Sequence, residues 1–260
     1  MSALLSMTDR TVGELASAMP TTIRVFETWK IDYCCGGRTS LSDACANAGR
    51  TIDDFIAAVE ASTEAPDAAP NDWALSTLAQ IATDVIGRYH RYTREELETL
   101  QTLAEKVHGV HGSRRPELAE VVTLVAALTA DLLPHMLKEE QVLFPYVEQL
   151  EQAWHGSRTA VTPFFGTVKN PVRMMMIEHE RVGELLTRLR TVTGAYQPPE
   201  DACFSYRELY RRLNVFEATT HEHIHVENNI YFPRAVTLEE RVGNASAAGE
   251  ACGTSCCGGH

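Results

Sequence analysis

Apolar residues recur at helical spacing through residues 73–236, in four long runs separated by short polar or proline-marked breaks. The first run predicts a helix from about Trp73 to Val107, and the second one from about Glu117 to Glu151. The third opens at Asn170 and Pro171, read as an N-cap followed by a first-turn proline, and reaches about Thr193. The fourth follows Pro198 and Pro199 and ends near Pro233. No alternating strand pattern interrupts this region, so it reads as an all-α, up-down four-helix bundle.

Residues 8–62 carry a smaller pattern: Val12, Leu15, Ala16 and Met19, then Ile23, Val25, Phe26 and Trp29, then the turn Cys34, Cys35, Gly36, Gly37. A further helix with Ser42 as its N-cap and another from near Ile52 complete a small helical domain. A module of roughly 55 residues buries too little surface to stand alone comfortably, so it is expected to dock on a neighbour. Residues 63–72, rich in Ala, Pro and Asp, read as a linker. Residues 237–260, rich in Ala, Gly, Ser and Cys, read as a flexible tail.

The bundle contains an internal repeat. His135, Glu139, Val142, Phe144 and Pro145 match His223, Glu227, Ile230, Phe232 and Pro233 at the same offsets. His90 precedes His135 by 45 residues, and His179 precedes His223 by 44. Each half of the bundle therefore supplies one lone histidine and one His-x-x-x-Glu pair, as two helical hairpins related by a pseudo-two-fold axis would. Residues four apart share a helix face, with Cβ atoms roughly 5–6 Å apart. An imidazole can then bind one ion while the carboxylate one turn on bridges to a second.

The apolar neighbours Ile86, Leu128, Leu132, Val172, Met175 and Phe216 put these polar groups on inward faces, where unpaired burial is costly. His90, His135, Glu139, His179, His223 and Glu227 are thus the predicted metal ligands, a donor set that suits iron or another first-row transition ion. His221 and His225 project to other faces and read as surface residues or as supports of the ligands. Glu140 and Glu178, next to ligands, read as solvated ahead of a supporting role. Pro134 is expected to kink the second helix or to break it.

Composition narrows the function. The 44% hydrophobic and 22% charged content is that of a soluble globular protein, and the net charge of −12 argues against nucleic acid as a partner. No apolar run suggests a membrane span, and no export signal is read at the N-terminus. The seven cysteines are therefore expected to be reduced thiols in the cytoplasm.

With these residues assembled, the chain resembles the iron–sulfur cluster repair di-iron protein family, in which a hemerythrin-like bundle follows a small Cys-Cys-Gly-Gly domain. Asp32 to Gly37, Tyr89-His90, His135-Met136, Lys138 to Glu140, Glu178-His179 and His223 to Pro233 carry the resemblance, which spans about residues 10 to 236. It implies two iron ions, damaged iron–sulfur proteins as partners, and nitric oxide or oxygen as a small ligand. Repair would proceed by iron donation, by nitric oxide binding and reduction at the di-iron centre, or by both. Cys34 and Cys35 would be redox or iron-transfer thiols, and a homodimer is among the assemblies considered.

Oxygen-carrying hemerythrins have a further histidine where this chain has Gly183, which argues against simple oxygen carriage. A gas sensor or scavenger without repair activity and a metal-free helical adaptor are the competing readings. Cys252, Cys256, Cys257 and His260 in the tail form a second candidate thiol cluster.

Overall fold

A computed structural model describes residues 10–62, 73, 75–157 and 162–253, with side chains through Asn244. The linker at 63–72 and the tail side chains Cys252, Cys256, Cys257 and His260 lie outside the described residues. The described chain is helical, and its only β feature is an isolated bridge between Thr11 and Ser40.

The small domain comprises α1 (Val12–Ala18), α2 (Thr21–Trp29), α3 (Leu41–Asn47) and α4 (Ile52–Ser62). The apolar pattern of Val12 to Trp29 breaks into two helices because Pro20 drives Met19 out of helical geometry, to φ −139° and ψ 81°. A reciprocal pair of hydrogen bonds between Thr11 and Glu14 caps α1. Ser40, rather than Ser42, caps α3 by accepting from the Asp43 amide at 3.1 Å. Extended backbone at Ser40 and full burial of Leu41 start the helix there. The core is built on Phe26, which stacks on both Tyr33 and Phe55.

Four long helices follow. Helix α5 consists of Leu78–Asp84, a π-wound segment Val85–His90, and Arg91–His111. Helix α6 consists of Glu117–Lys138, the π segment Glu139–Leu143, and Phe144–Trp154. Helix α7 is Lys169–Val192, and α8 consists of Phe204–Val226, the π segment Glu227–Tyr231, and Phe232–Gly253. Each packs on the next and α8 returns to α5, giving the up-down bundle.

Helix α5 starts at Leu78 rather than near Trp73, because Thr77 and Gln80 cap it reciprocally. The Glu151 carboxylate also takes its first amides, Leu78 at 2.7 Å and Ala79 at 2.9 Å. At α7 the Asn170 side chain donates to the Phe165 carbonyl instead of capping. Pro134 lies inside α6 without ending it.

Helix α8 continues through Pro233 to Gly253, although the sequence reading ended it near Pro233. The two Phe-Pro pairs explain both this continuity and two of the π segments. Pro145 and Pro233 have no amide hydrogen and crowd the carbonyl four residues back. The preceding amides, of Phe144 and Phe232, bond five residues back to the carbonyls of Glu139 and Glu227. The helix widens by one residue at the proline and carries on.

One expectation about membranes is corrected. The α6 rod, Glu117–Trp154, is long and apolar enough to cross a bilayer by length and composition alone. Leu118, Val121, Val125, Leu128, Leu132 and Val147 of this rod are buried inside the bundle, while Leu133, Leu137 and Trp154 are exposed.

The bundle has two hydrophobic clusters, one on either side of the ligand level. One gathers residues such as Leu97, Leu128, Leu186 and Phe216, and the other Ile81, Val147, Val172 and Tyr231. The small domain docks at the ligand level, against the π segment of α8.

Candidate metal centre

The structure brings the six predicted residues together between the two clusters. His90, His135, Glu139, His179, His223 and Glu227 are each no more than 1% exposed. Their donor atoms form two overlapping groups: His90, His223, Glu139 and Glu227, and His135, His179, Glu139 and Glu227. Both carboxylates belong to both groups, so two ions held there would share Glu139 and Glu227.

In the first group, His90 Nε2 lies 3.4 Å from Glu139 and 3.9 Å from Glu227, and His223 Nε2 lies 3.0 Å from Glu227. In the second, His135 Nε2 lies 3.3 Å from Glu139, and His179 Nε2 lies 3.2 Å from Glu227 and 2.9 Å from His135 Nε2. The His90 Nε2 atom, both Glu139 oxygens and one Glu227 oxygen are buried without a hydrogen-bond partner. Buried polar atoms are ordinarily satisfied, so converging lone pairs of this kind fit metal ions. Imidazole and carboxylate donors are those that iron accepts.

Hydrogen bonds at the far ring nitrogens fix three of the four histidines, as metal-bound imidazoles usually require. His90 Nδ1 meets Glu140 at 2.7 Å, and Arg94 holds the same carboxylate. His135 Nδ1 meets Glu178 at 2.8 Å, and Lys138 pairs with that carboxylate. His179 Nδ1 meets the Asn228 carbonyl oxygen at 2.8 Å. Glu140 and Glu178 are therefore not simply solvated, as the sequence reading favoured.

The repeat holds the signal for these partners when it is extended by one residue. Glu140 and Asn228 each follow a bridging glutamate, and each orients the lone histidine of a hairpin. Glu178 precedes His179 and orients His135; its counterpart Tyr89 precedes His90 and stacks on His223 at 5.4 Å. The Tyr89 ring offers no acceptor there, and His223 Nδ1 has no hydrogen-bond partner. The pseudo-two-fold site is thus chemically asymmetric. Phe144 stacks on His90 and Phe232 on His179, closing the walls with the aromatic residues of the two Phe-Pro pairs.

Electrostatics follow from this packing. Burial disfavours the imidazolium of His90, but Glu139 and Glu227 outweigh it and raise the pKa to about 9. Burial of His135 is likewise outweighed by Glu139, Glu178 and Glu227, raising it to about 10. Burial keeps His223 below its ordinary value. Glu227 is held well below the carboxylate range: burial acts against this, but His223, His179 and His90 prevail.

The carboxylates that raise His90 and His135 therefore favour protons on these two imidazoles in the metal-free site near neutral pH, and bound ions would displace them. Loading two divalent ions is expected to release about two protons per chain, so apparent affinity falls as pH drops. Calorimetry in two buffers of different ionisation enthalpy measures the release directly. Zero protons would show both imidazoles neutral before loading.

The small domain presents Cys34 and Cys35 beside this centre. Asn228 links the two: its amide nitrogen donates to the Cys34 carbonyl at 3.3 Å while its oxygen holds His179. Asn229 donates to the carbonyls of Tyr33 at 3.3 Å and Cys34 at 3.1 Å. Cys35 Sγ lies 3.9 Å from where a Cβ on Gly183 would stand, one turn beyond His179. The histidine position of oxygen carriers is thus occupied by a glycine that leaves space for a thiol.

Cys34 is a buried thiol whose pKa is pushed well up by Cys35, burial and Asp32. His225, expected on the surface or in support of the ligands, is 3% exposed, packed against the Tyr33 ring at a tilt of 57° and bonded to Asn229. His221 pairs with Glu27 at 2.8 Å. Both histidines face the docked domain, whose contribution to burial the α8 sequence alone does not reveal.

The fold and paired ligand groups define a hemerythrin-type cation-binding bundle. Residues 81–235 match the family described as hemerythrin HHE cation binding domain, and residues 8–63 match a domain of unknown function, DUF542. More specifically, the chain belongs to the family of iron–sulfur cluster repair proteins. It is 34% identical over 231 residues to iron-sulfur cluster repair protein YtfE of Pectobacterium atrosepticum, covering 89% of this chain and 98% of that one. The protein of the same name from Citrobacter koseri is 33% identical over 238 residues, covering 90% and 100%. That from Escherichia coli O81 is 34% identical over 231 residues, covering 89% and 98%.

Proposed function

We propose that this protein serves the repair of iron–sulfur clusters damaged by nitric oxide or oxygen, with two irons on the six ligands and the Cys34-Cys35 turn working beside them. The observation that carries this reading is the docking of a dithiol turn one helical turn from His179, through an asparagine that also holds that ligand. When bound, the iron pair supplies redox chemistry and coordination of a small ligand.

The protein's own residues do the rest. Glu139 and Glu227, shared by both donor groups, and the four imidazoles would hold the two ions. Glu140, Glu178 and Asn228 fix three rings, while Tyr89, Phe144 and Phe232 exclude water from the walls. Gly183 leaves room on the thiol side. Cys34 and Cys35 are the groups we assign to accept or pass iron or electrons, with damaged iron–sulfur proteins as partners and the cytoplasm, where thiols stay reduced, as the setting.

A gas sensor or scavenger has no use for the docked dithiol, which favours repair over that alternative. Replacing Cys34 and Cys35 together by Ser is expected to abolish repair of a damaged cluster protein while the di-iron centre still gives its nitrosyl spectrum with nitric oxide. Undiminished repair by the double variant would remove the thiols from the function.

A further inference from the structure

We infer that Asp32, Cys34 and Cys35 form a third metal site, which holds one thiophilic divalent cation, ferrous iron or zinc, apart from the six-ligand centre. One donor atom from each of the three lies within 4.8 Å of the others. The two sulfurs stand 4.0 Å apart. With metal–sulfur bonds of about 2.3 Å, two thiolates on one tetrahedral ion are about 3.8 Å apart, so little movement closes the pair on a cation.

The third donor is built in by the same turn. Asp32 Oδ1 accepts from the amides of Cys34 at 3.2 Å and Cys35 at 2.9 Å, and it lies 3.3 Å from Cys34 Sγ. Gly36 is what admits the carboxylate: a Cβ there would stand 2.8 Å from the Asp32 carbonyl and 3.1 Å from Oδ2. The second glycine, Gly37, serves the packing against α8 instead.

Burial runs in one direction across the site. Cys34 is buried, Cys35 is half-buried and Asp32 is exposed. All three line a cleft of about 580 Å³ between the small domain and α7, with Lys30, Glu180, Glu184 and His221 also on its walls. Three protein donors leave a fourth position open to the cleft, where an incoming donor can reach the ion, whereas structural ions are enclosed by four protein ligands. Binding replaces two thiol protons by one divalent ion, and the carboxylate leaves the loaded site with one net negative charge. No oxidation is involved. The purpose of such a station rests on the repair function proposed above; its chemistry does not.

The test uses full-length protein with the six-ligand centre loaded with iron and Cys203, Cys252, Cys256 and Cys257 replaced by Ser. Anaerobic titration with Co²⁺ reads the thiolate-to-cobalt charge-transfer band, which histidine and carboxylate ligands do not produce. One equivalent of thiolate-bound cobalt is expected, lost in Cys34→Ser and in Cys35→Ser. Asp32→Asn keeps an acceptor for the two turn amides but is expected to weaken binding about tenfold or more, since even outer partners of a metal site are worth about 10–100-fold.

Retained iron in each variant reports an intact fold. Absence of the band, its survival without either cysteine, or unchanged affinity in Asp32→Asn would each overturn the third site while leaving the di-iron reading standing. Failure of the six-ligand centre to hold iron while the band appears would do the reverse.

Discussion

Replacing Glu139 or Glu227 by Ala is expected to strip the centre of most of its iron, because each carboxylate serves both ligand groups. A terminal histidine variant would weaken one ion. A bridging variant leaves both ions with three protein donors and removes the group that offsets their mutual repulsion. The loss should exceed the roughly 10–100-fold that outer partners of a metal site are worth, so protein purified without added metal should fall from about two irons per chain to well below one. Metal analysis alongside the absorption spectrum measures this. Two tightly held irons in both variants would dismantle the ligand assignment.

Gly37→Ala is expected to unlatch the thiol turn from the bundle. A Cβ at Gly37 collides with the Asn229 carboxamide oxygen and stands 3.0 Å from the Tyr33 carbonyl. Asn229 cannot simply turn aside, since its nitrogen is committed to Tyr33, Cys34 and His225. Overpacking of this kind costs about 1–3 kcal/mol, and here it falls on the interface that buries Cys34. Thiol-reagent kinetics should show Cys34 reacting faster, with a lower midpoint for unfolding of the whole chain. Unchanged reactivity and unchanged stability would mean that the turn is not held by this contact.

The parts legible in the sequence share one physical cause. Helical periodicity and the spacing of His135 with Glu139, and of His223 with Glu227, are local properties of a helix, so they predict the bundle and a shared face without tertiary knowledge. Cys34 to Gly37 reads as a turn from the sequence, but the group that packs against Gly37, Asn229 of α8, does not. What eluded the sequence was set by contacts between distant segments. His225 lies against Tyr33 of the docked domain, Glu178 is held by His135 as well as by its neighbour in the bundle Lys138, and Glu151 caps a helix some seventy residues earlier in the chain. The continuation of α8 past Pro233 was hidden for a different reason. A proline at the end of an apolar helical run reads as a stop, and the π register that accommodates it here becomes legible only when Pro145 and Pro233 are considered together.

The division of the bundle core has a consequence for how the molecule comes apart. Each hydrophobic cluster collapses on its own apolar contacts, and the plane between them contains six polar side chains where a layer of leucines would otherwise hold the halves together. Three of the four helices crossing that plane are π-wound at the crossing. When the ions leave, this is the cross-section with the least cohesion, and local opening starts at such places. Release of metal is therefore expected to loosen the protein at this level, and the amides here should be the first within the bundle to exchange their hydrogens with solvent.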